Sequence, residues 1–152
     1  MEKIKEEHPQ VLLILKGPPA CGKTTFATEF IENKCNWIRV NYNELCLMIG
    51  KDCLSRKEKF IKNTERIMVE QALRDGHNVI VDDINLDVNT LDYWKDLAKL
   101  YKCEFKEKEF IIPYKQSVKR DFLRADSIGE DIIRMYYRKY YPSLLAQELD
   151  EI

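Results

Sequence analysis

Two hydrophobic rhythms alternate along this chain. Val11 to Leu15 is a continuous apolar run, the pattern of a strand buried on both faces. A turn rich in Gly and Pro follows. From about Gly22 to Asn33 the apolar residues Phe26, Phe30 and Ile31 fall on one helical face. Trp37 to Val40 reads as a short strand, Glu44 to Ile49 as a helix and Ser55 to Arg74 as a longer one. That longer helix carries Phe60, Ile61, Thr64, Ile67, Met68 and Ala72 at helical spacing. The Asp75-Gly76 turn leads into a second buried strand, Asn78 to Val81, which ends in Asp82-Asp83. A helix from Thr90 to Tyr101, a strand from Glu104 to Ile112 and helices over Lys115–Arg124 and Glu130–Tyr140 complete the pattern. Strands alternating with helices predict the α/β class, with a parallel sheet covered by helices on both faces.

Length and composition narrow the setting. The 152 residues, 45% hydrophobic and 34% charged, suit one domain over residues 1–152. No 18-residue apolar run occurs, so no membrane partner is expected. Met1 to His8 is charged and lacks the apolar core of a secretory signal. Cys21, Cys35, Cys46, Cys53 and Cys103 form an odd set without a CxxC pair, which argues against zinc and disulfides and for a reducing, cytoplasmic location. The net charge of −1 announces no nucleic-acid field. Between Tyr114 and Tyr141, however, seven basic residues stand against four acidic ones, a local excess of +3.

Candidate chemistry begins after the first strand. Gly17-Pro-Pro-Ala-Cys-Gly22-Lys23-Thr24 fits G-x-x-x-x-G-K-[ST] at every defined position, in the strand–loop–helix context the pattern requires. The glycines permit backbone conformations and close approach that a side chain would block. Loop N–H groups then form an anion nest beside the positive end of the following helix. Gly17, Pro18, Pro19, Ala20, Cys21, Gly22, Lys23, Thr24 and Thr25 are the expected ATP contacts. Lys23 is placed to reach the β- and γ-phosphates, and the Thr24 hydroxyl to ligate Mg²⁺. Cys21 reads as a passive loop residue, with oxidation sensitivity as the alternative. These features predict a P-loop NTPase or kinase fold.

A carboxylate is expected at the end of a neighbouring buried strand. Asp82 and Asp83 stand there, at the carboxyl edge where open α/β sheets bind ligands. Successive strand residues point to opposite sides, so one acid faces the phosphates and the other does not. Asp83 is the one favoured for the site and the metal.

Together these residues resemble the P-loop polynucleotide 5′-hydroxyl kinase family, over about residues 11–141. The likeness rests on the phosphate loop, Val79-Ile-Val-Asp-Asp-Ile-Asn-Leu86 and Phe110-Ile-Ile-Pro-Tyr114. Ser117-Val-Lys-Arg-Asp-Phe-Leu-Arg124 and Arg134-Met-Tyr-Tyr137 extend it. The resemblance implies ATP and Mg²⁺, a nucleic-acid or nucleotide-like acceptor, and roles residue by residue. Asp83 and Asn85 match the family's acid and amide after the central strand. Arg120 and Arg124, one helical turn apart and so on one face, match lid arginines that grip the ATP phosphates. Such guanidiniums stabilise the equatorial oxygens of the transferring group. Surface salt bridges with Asp121 or Asp126 are the plainer reading of both.

The chain departs from the family on the acceptor side. Twenty residues past Lys23, where the resemblance implies an aspartate general base, stands Asn43, and the family's acceptor-phosphate arginine is matched by Cys46. An amide is too weakly basic to take a proton near neutral pH. Three readings stay open: Glu44 serves as base, transfer proceeds without a dedicated base because the transition state is loose, or the acceptor differs. The leading expectation is an ATP-dependent kinase acting on a nucleic-acid hydroxyl, first a polynucleotide 5′-hydroxyl. A small-molecule, nucleoside or modified-base kinase is the alternative, and a catalytically impaired ATP-binding module the rival from another class. Trp37, Trp94, Tyr136, Tyr137, Tyr140 and Tyr141 offer stacking surfaces but read more simply as core, and the aromatic last helix as a homo-oligomer contact. His8 and His77 are isolated. No phosphatase activity is expected.

Overall fold

The computed structural model describes residues 9–50 and 54–149; Met1 to His8 and Cys53 lie outside them. Four strands, β1 (Val11–Lys16), β2 (Trp37–Val40), β3 (Asn78–Asp82) and β4 (Glu104–Glu109), form one parallel sheet in the order β2-β3-β1-β4. The helices among the described residues are α1 (Lys23–Ile31), α2 (Tyr42–Ile49), α3 (Leu54–Arg74), α4 (Val88–Leu100), α5 (Tyr114–Phe122), α6 (Glu130–Tyr140) and α7 (Pro142–Leu149). None is long and apolar enough to cross a membrane.

Strand parity sorts the core. Leu12, Ile14, Val79, Val81 and Val40 point to one face, where they pack on Val69, Ala72 and Leu73 of α3 and Trp94, Leu97 and Ala98 of α4. Leu13, Leu15 and Ile80 point to the other, against Ala27, Phe26 and Phe30 of α1. Trp94 is therefore core, 3% exposed. A separate small core of Tyr114, Ile133, Tyr137 and Leu145 holds α5, α6 and α7 together, and it takes in Tyr137 completely. Strand β4, with its charged Glu-Phe-Lys-Glu-Lys-Glu sequence, occupies an edge, where charge discourages further pairing.

Several expected elements shift. Helix α2 starts at Tyr42 because the Asn41 side chain caps it, accepting from Glu44 N at 2.8 Å. Helix α4 starts at Val88 because Asp87 does the same for Thr90 N at 3.1 Å. Strand β4 stops at Glu109, opposite the last residue of β1, and does not reach Ile112. Helix α7 lies beyond the last element that the hydrophobic pattern predicts.

The buried stripe of α3 differs more. Phe60 and Ile67 are 61% and 65% exposed, and the residues turned inward are Ile61, Glu65, Val69, Ala72 and Leu73. An acid lies within the core-facing stripe, which hid the true phase of the helix from a reading of apolar positions.

Candidate active site

The loop after β1 is shaped by close backbone approach. A Cβ on Gly17 would lie 2.5 Å from the Phe110 carbonyl and 2.9 Å from Cys21 Sγ, so only glycine fits. Gly17 N donates to the Ile84 carbonyl at 3.0 Å, tying the loop to the segment after β3. Gly22, at φ 99, turns the chain into α1 and provides no side-chain cap. The first intrahelical bond runs from Phe26 N to Gly22 O, which leaves the N–H groups of Lys23, Thr24 and Thr25 without intrahelical partners. Free amides at a helix N-terminus suit an anion.

Lys23 crosses this loop. It is 8% exposed, and its Nζ donates to the Gly17 and Pro18 carbonyls at 2.9 and 2.8 Å and approaches Cys21 Sγ at 3.3 Å. Burial pulls its ammonium below the ordinary lysine range, against the raising influence of Cys21, Asp82 and Asp83. Such a cation gains strongly from a phosphate. Thr24 and Thr25 are exposed at the start of α1.

The two acids at the end of β3 diverge. Asp82 shares the parity of Ile80 and of Arg39 on the neighbouring strand. It is 1% exposed, and its Oδ2 accepts from Arg39 Nε at 3.0 Å and Asn41 Nδ2 at 3.2 Å, with Arg39 Nη2 in ion-pair contact at 2.9 Å. Its Oδ1 is buried without a partner. Asp83 turns toward α2 and α3. Its Oδ1 accepts from Tyr42 N at 2.8 Å, and its carboxyl is hydrogen-bonded to that of Glu65.

Glu65, 5% exposed, is pushed up to about 10 by burial first and then by its bond to Asp83. Burial raises Asp83 as well. The orphaned Asp82 oxygen, the exposed Thr24 hydroxyl and the Asp83 carboxyl are oxygen donors, the chemistry that Mg²⁺ takes. Among the described residues no group of three or more His, Cys, Asp or Glu side chains is placed to hold a metal ion.

Of the residues expected to face the acceptor, Asn43 is exposed on the first turn of α2. Glu44, its side chain 61% exposed, pairs with Arg39 Nη1 at 2.9 Å. Cys46 is 9% exposed and packs with Leu45, Ile61 and Tyr42, and burial pushes its thiol up. Asn85, the family's motif amide, is fully occupied. Its Nδ2 donates to the Leu15 carbonyl at 2.7 Å and its Oδ1 accepts from Trp94 Nε1 at 3.2 Å. It braces β1, β3 and α4.

The α5–α6 connection corrects one expectation. Helix α5 ends at Phe122, so Arg120 and Arg124 do not share a helical face. The buried Asp121 ends the helix: its carboxylate accepts from Ser127 Oγ at 2.7 Å and from Ile128 N and Gly129 N at 3.1 Å each, wrapping the chain into a loop. These hydrogen bonds hold its carboxyl below the usual range although burial opposes them. Arg124 lies in that loop and pairs with Asp126 at 3.2 Å. Arg120 is exposed at the end of α5, without an ion pair among the described residues. Arg39, Asn41 and Glu65, which surround the two acids, carry no signal in the sequence, because their contacts follow from cross-strand register and from the rotation of α3.

A family model described as an AAA domain matches residues 12–134. A bifunctional polynucleotide kinase/RNA ligase of Autographa californica nuclear polyhedrosis virus is 26% identical over 90% of this chain and 22% of the viral protein. An L-seryl-tRNA(Sec) kinase of Methanococcus maripaludis is 25% identical over 86% of this chain and 52% of its own length. The chain thus spans about a fifth and about half of these relatives. A solved Pnkp1/Rnl/Hen1 RNA repair complex contains a chain similar over 100% of this one and 49% of its own, at 28% identity and a TM-score of 0.76.

Proposed function

The chain belongs to the AAA domain family and is a P-loop kinase, and from that premise we propose that it transfers the γ-phosphoryl of ATP to a hydroxyl of a nucleic acid, first a polynucleotide 5′-hydroxyl. One observation carries the phosphoryl half of this reading: the buried Lys23 ammonium resting on the Gly17 and Pro18 carbonyls beside unpaired α1 amides.

In this reading the loop amides and Lys23 bind the phosphates, and Lys23 leaves its two carbonyls for phosphate oxygens. Arg120 and Arg124 face the transferring group, Arg124 after release from Asp126. Thr24 and Asp83, with the free Asp82 oxygen, would hold Mg²⁺, which when bound neutralises charge on the phosphate oxygens. Asn43 orients the acceptor hydroxyl by hydrogen bonding. Glu44 becomes a base only by giving up Arg39. Similarity to polynucleotide kinases supports the nucleic-acid acceptor. The free cysteines among the described residues accord with a reducing, cytoplasmic setting.

A second reading, a small-molecule or nucleoside acceptor, is favoured by the same corner of the site. Cys46 is buried and uncharged, and Arg39 is committed to Asp82 and Glu44, which leaves little cationic surface for an acceptor phosphate.

The test is transfer of labelled γ-phosphate from ATP and Mg²⁺ to 5′-hydroxyl RNA and DNA oligonucleotides, hydroxymethylated DNA and free nucleosides, with Lys23→Ala as the blank. Labelled oligonucleotide ends that vanish in the blank are the expected outcome. Labelling confined to nucleosides selects the second reading, and nucleotide binding without any transfer would leave a binding module.

A further inference from the structure

Helix α5 carries Arg120, and one buried hydrogen bond joins that helix to the phosphate loop. Ser117 is 0% exposed, and its Oγ donates to the Pro19 carbonyl at 2.6 Å. Among the described residues no other hydrogen bond connects α5 with residues 17–24. Ser117 and Arg120 are three positions apart on α5, which makes them neighbours on its surface.

The bond also orients the loop. A trans peptide is planar, so a carbonyl and the N–H that follows it point in opposite directions, and no described peptide is cis. Drawing the Pro19 carbonyl toward α5 therefore turns the Ala20 N–H away from α5. Ala20 sits at φ 56, the left-handed region that a residue with a Cβ occupies only when its surroundings hold it there. The Ser117 hydroxyl is one of those restraints.

We propose that Ser117 is a positioning residue whose hydrogen bond to Pro19 locks the helix bearing Arg120 to the phosphate loop, so that loop and lid address the same phosphates. This rests on the phosphate-binding reading of Lys23 and Arg120. Without the hydroxyl the buried Pro19 carbonyl is unpaired and α5 loses its tether.

A double-mutant cycle tests it through nucleotide affinity, with no need for turnover. Fluorescently labelled β,γ-imido ATP with Mg²⁺ is titrated into the wild type, Ser117→Ala, Arg120→Ala and the double variant, with Tm recorded alongside. Each single change is expected to weaken binding by about tenfold, and the double variant to lose at least about threefold less than the product of the two, because removing the tether already disables Arg120. Losses that multiply fully, or a Ser117→Ala affinity equal to wild type, overturn the proposal. A merely structural serine would lower Tm while leaving Arg120 worth the same factor in both backgrounds. If Ser117→Ala does not fold, Ser117→Cys, similar in size but a poorer donor, takes its place in the cycle. A wild type that binds nucleotide without transferring phosphate defeats the kinase reading alone, and the cycle still decides Ser117. A wild type that binds no nucleotide defeats both.

Discussion

At the scale of single residues, the Glu65 carboxyl couples the site to folding. It is 5% exposed, bonded to Asp83, and pushed up to about 10, against about 4.3 in an unfolded chain. The native protein thus keeps a proton that the unfolded chain releases once pH passes about 4.3. The contribution of this site to stability is complete below that pH and is lost progressively as pH climbs toward 10. Glu65→Gln keeps the shape and cannot ionise. Its Tm is expected to fall less than that of the wild type between pH 5 and 8, by a margin worth about 1 kcal/mol or more, roughly 2–4 °C for a chain of this size. Parallel pH profiles would show that the acid is already ionised in the native state. Asn43 offers a second residue-level test. Asn43→Asp restores a basic group at the family's position and should raise turnover by about 10²-fold, whereas an unchanged rate would mean the acceptor hydroxyl lies elsewhere.

Among elements, the α5–α6 connection decides where Arg120 and Arg124 go. Asp121, 3% exposed, gathers Ser127 Oγ and the Ile128 and Gly129 amides onto one carboxylate, so the helix ends and Arg124 sits in a loop. Asp121→Ala removes these bonds and leaves the amides to solvent. Hydrogen exchange at Ile128 and Gly129 should accelerate by about tenfold or more, since a hydrogen bond to a charged group is worth about 1.5–3 kcal/mol, while exchange in β1 and β3 stays as it was. Equal acceleration throughout the sheet would mean that Asp121 supports global folding and not the α5–α6 loop. The tyrosines of α6 belong to this scale as well: Tyr137 donates to the Ile112 carbonyl at 2.7 Å and is core, not a stacking platform.

For the whole molecule, charge separates the two acceptor readings. The chain is nearly neutral overall, with its basic excess between Tyr114 and Tyr141. If the acceptor is a polynucleotide, its KM should climb steeply with salt, by about tenfold or more between 50 and 200 mM if several phosphates are contacted. The KM of ATP, gripped inside the loop, should change far less. A flat acceptor profile would favour a small alcohol.

The local sequence determined the phosphate loop and the α/β alternation. Both depend on short-range constraints: glycines where backbone must approach backbone, and apolar runs that no other strand position tolerates. Gly17, Lys23 and the strands of β1 and β3 were legible for that reason, as was the charge at the end of β3. Contacts between distant segments were not. Arg39 meets Asp82 because β2 and β3 align in one register. Glu65 meets Asp83 because α3 is turned so that an acid faces the core, a rotation its apolar residues misreport. Arg124 leaves the helix because Asp121 finds partners several residues ahead. Asn85, in a motif that suggested chemistry, is consumed by Leu15 and Trp94. Local steric and hydrophobic preferences are written residue by residue, whereas the partner of a buried polar group depends on which surfaces meet. Only the tertiary structure decides that.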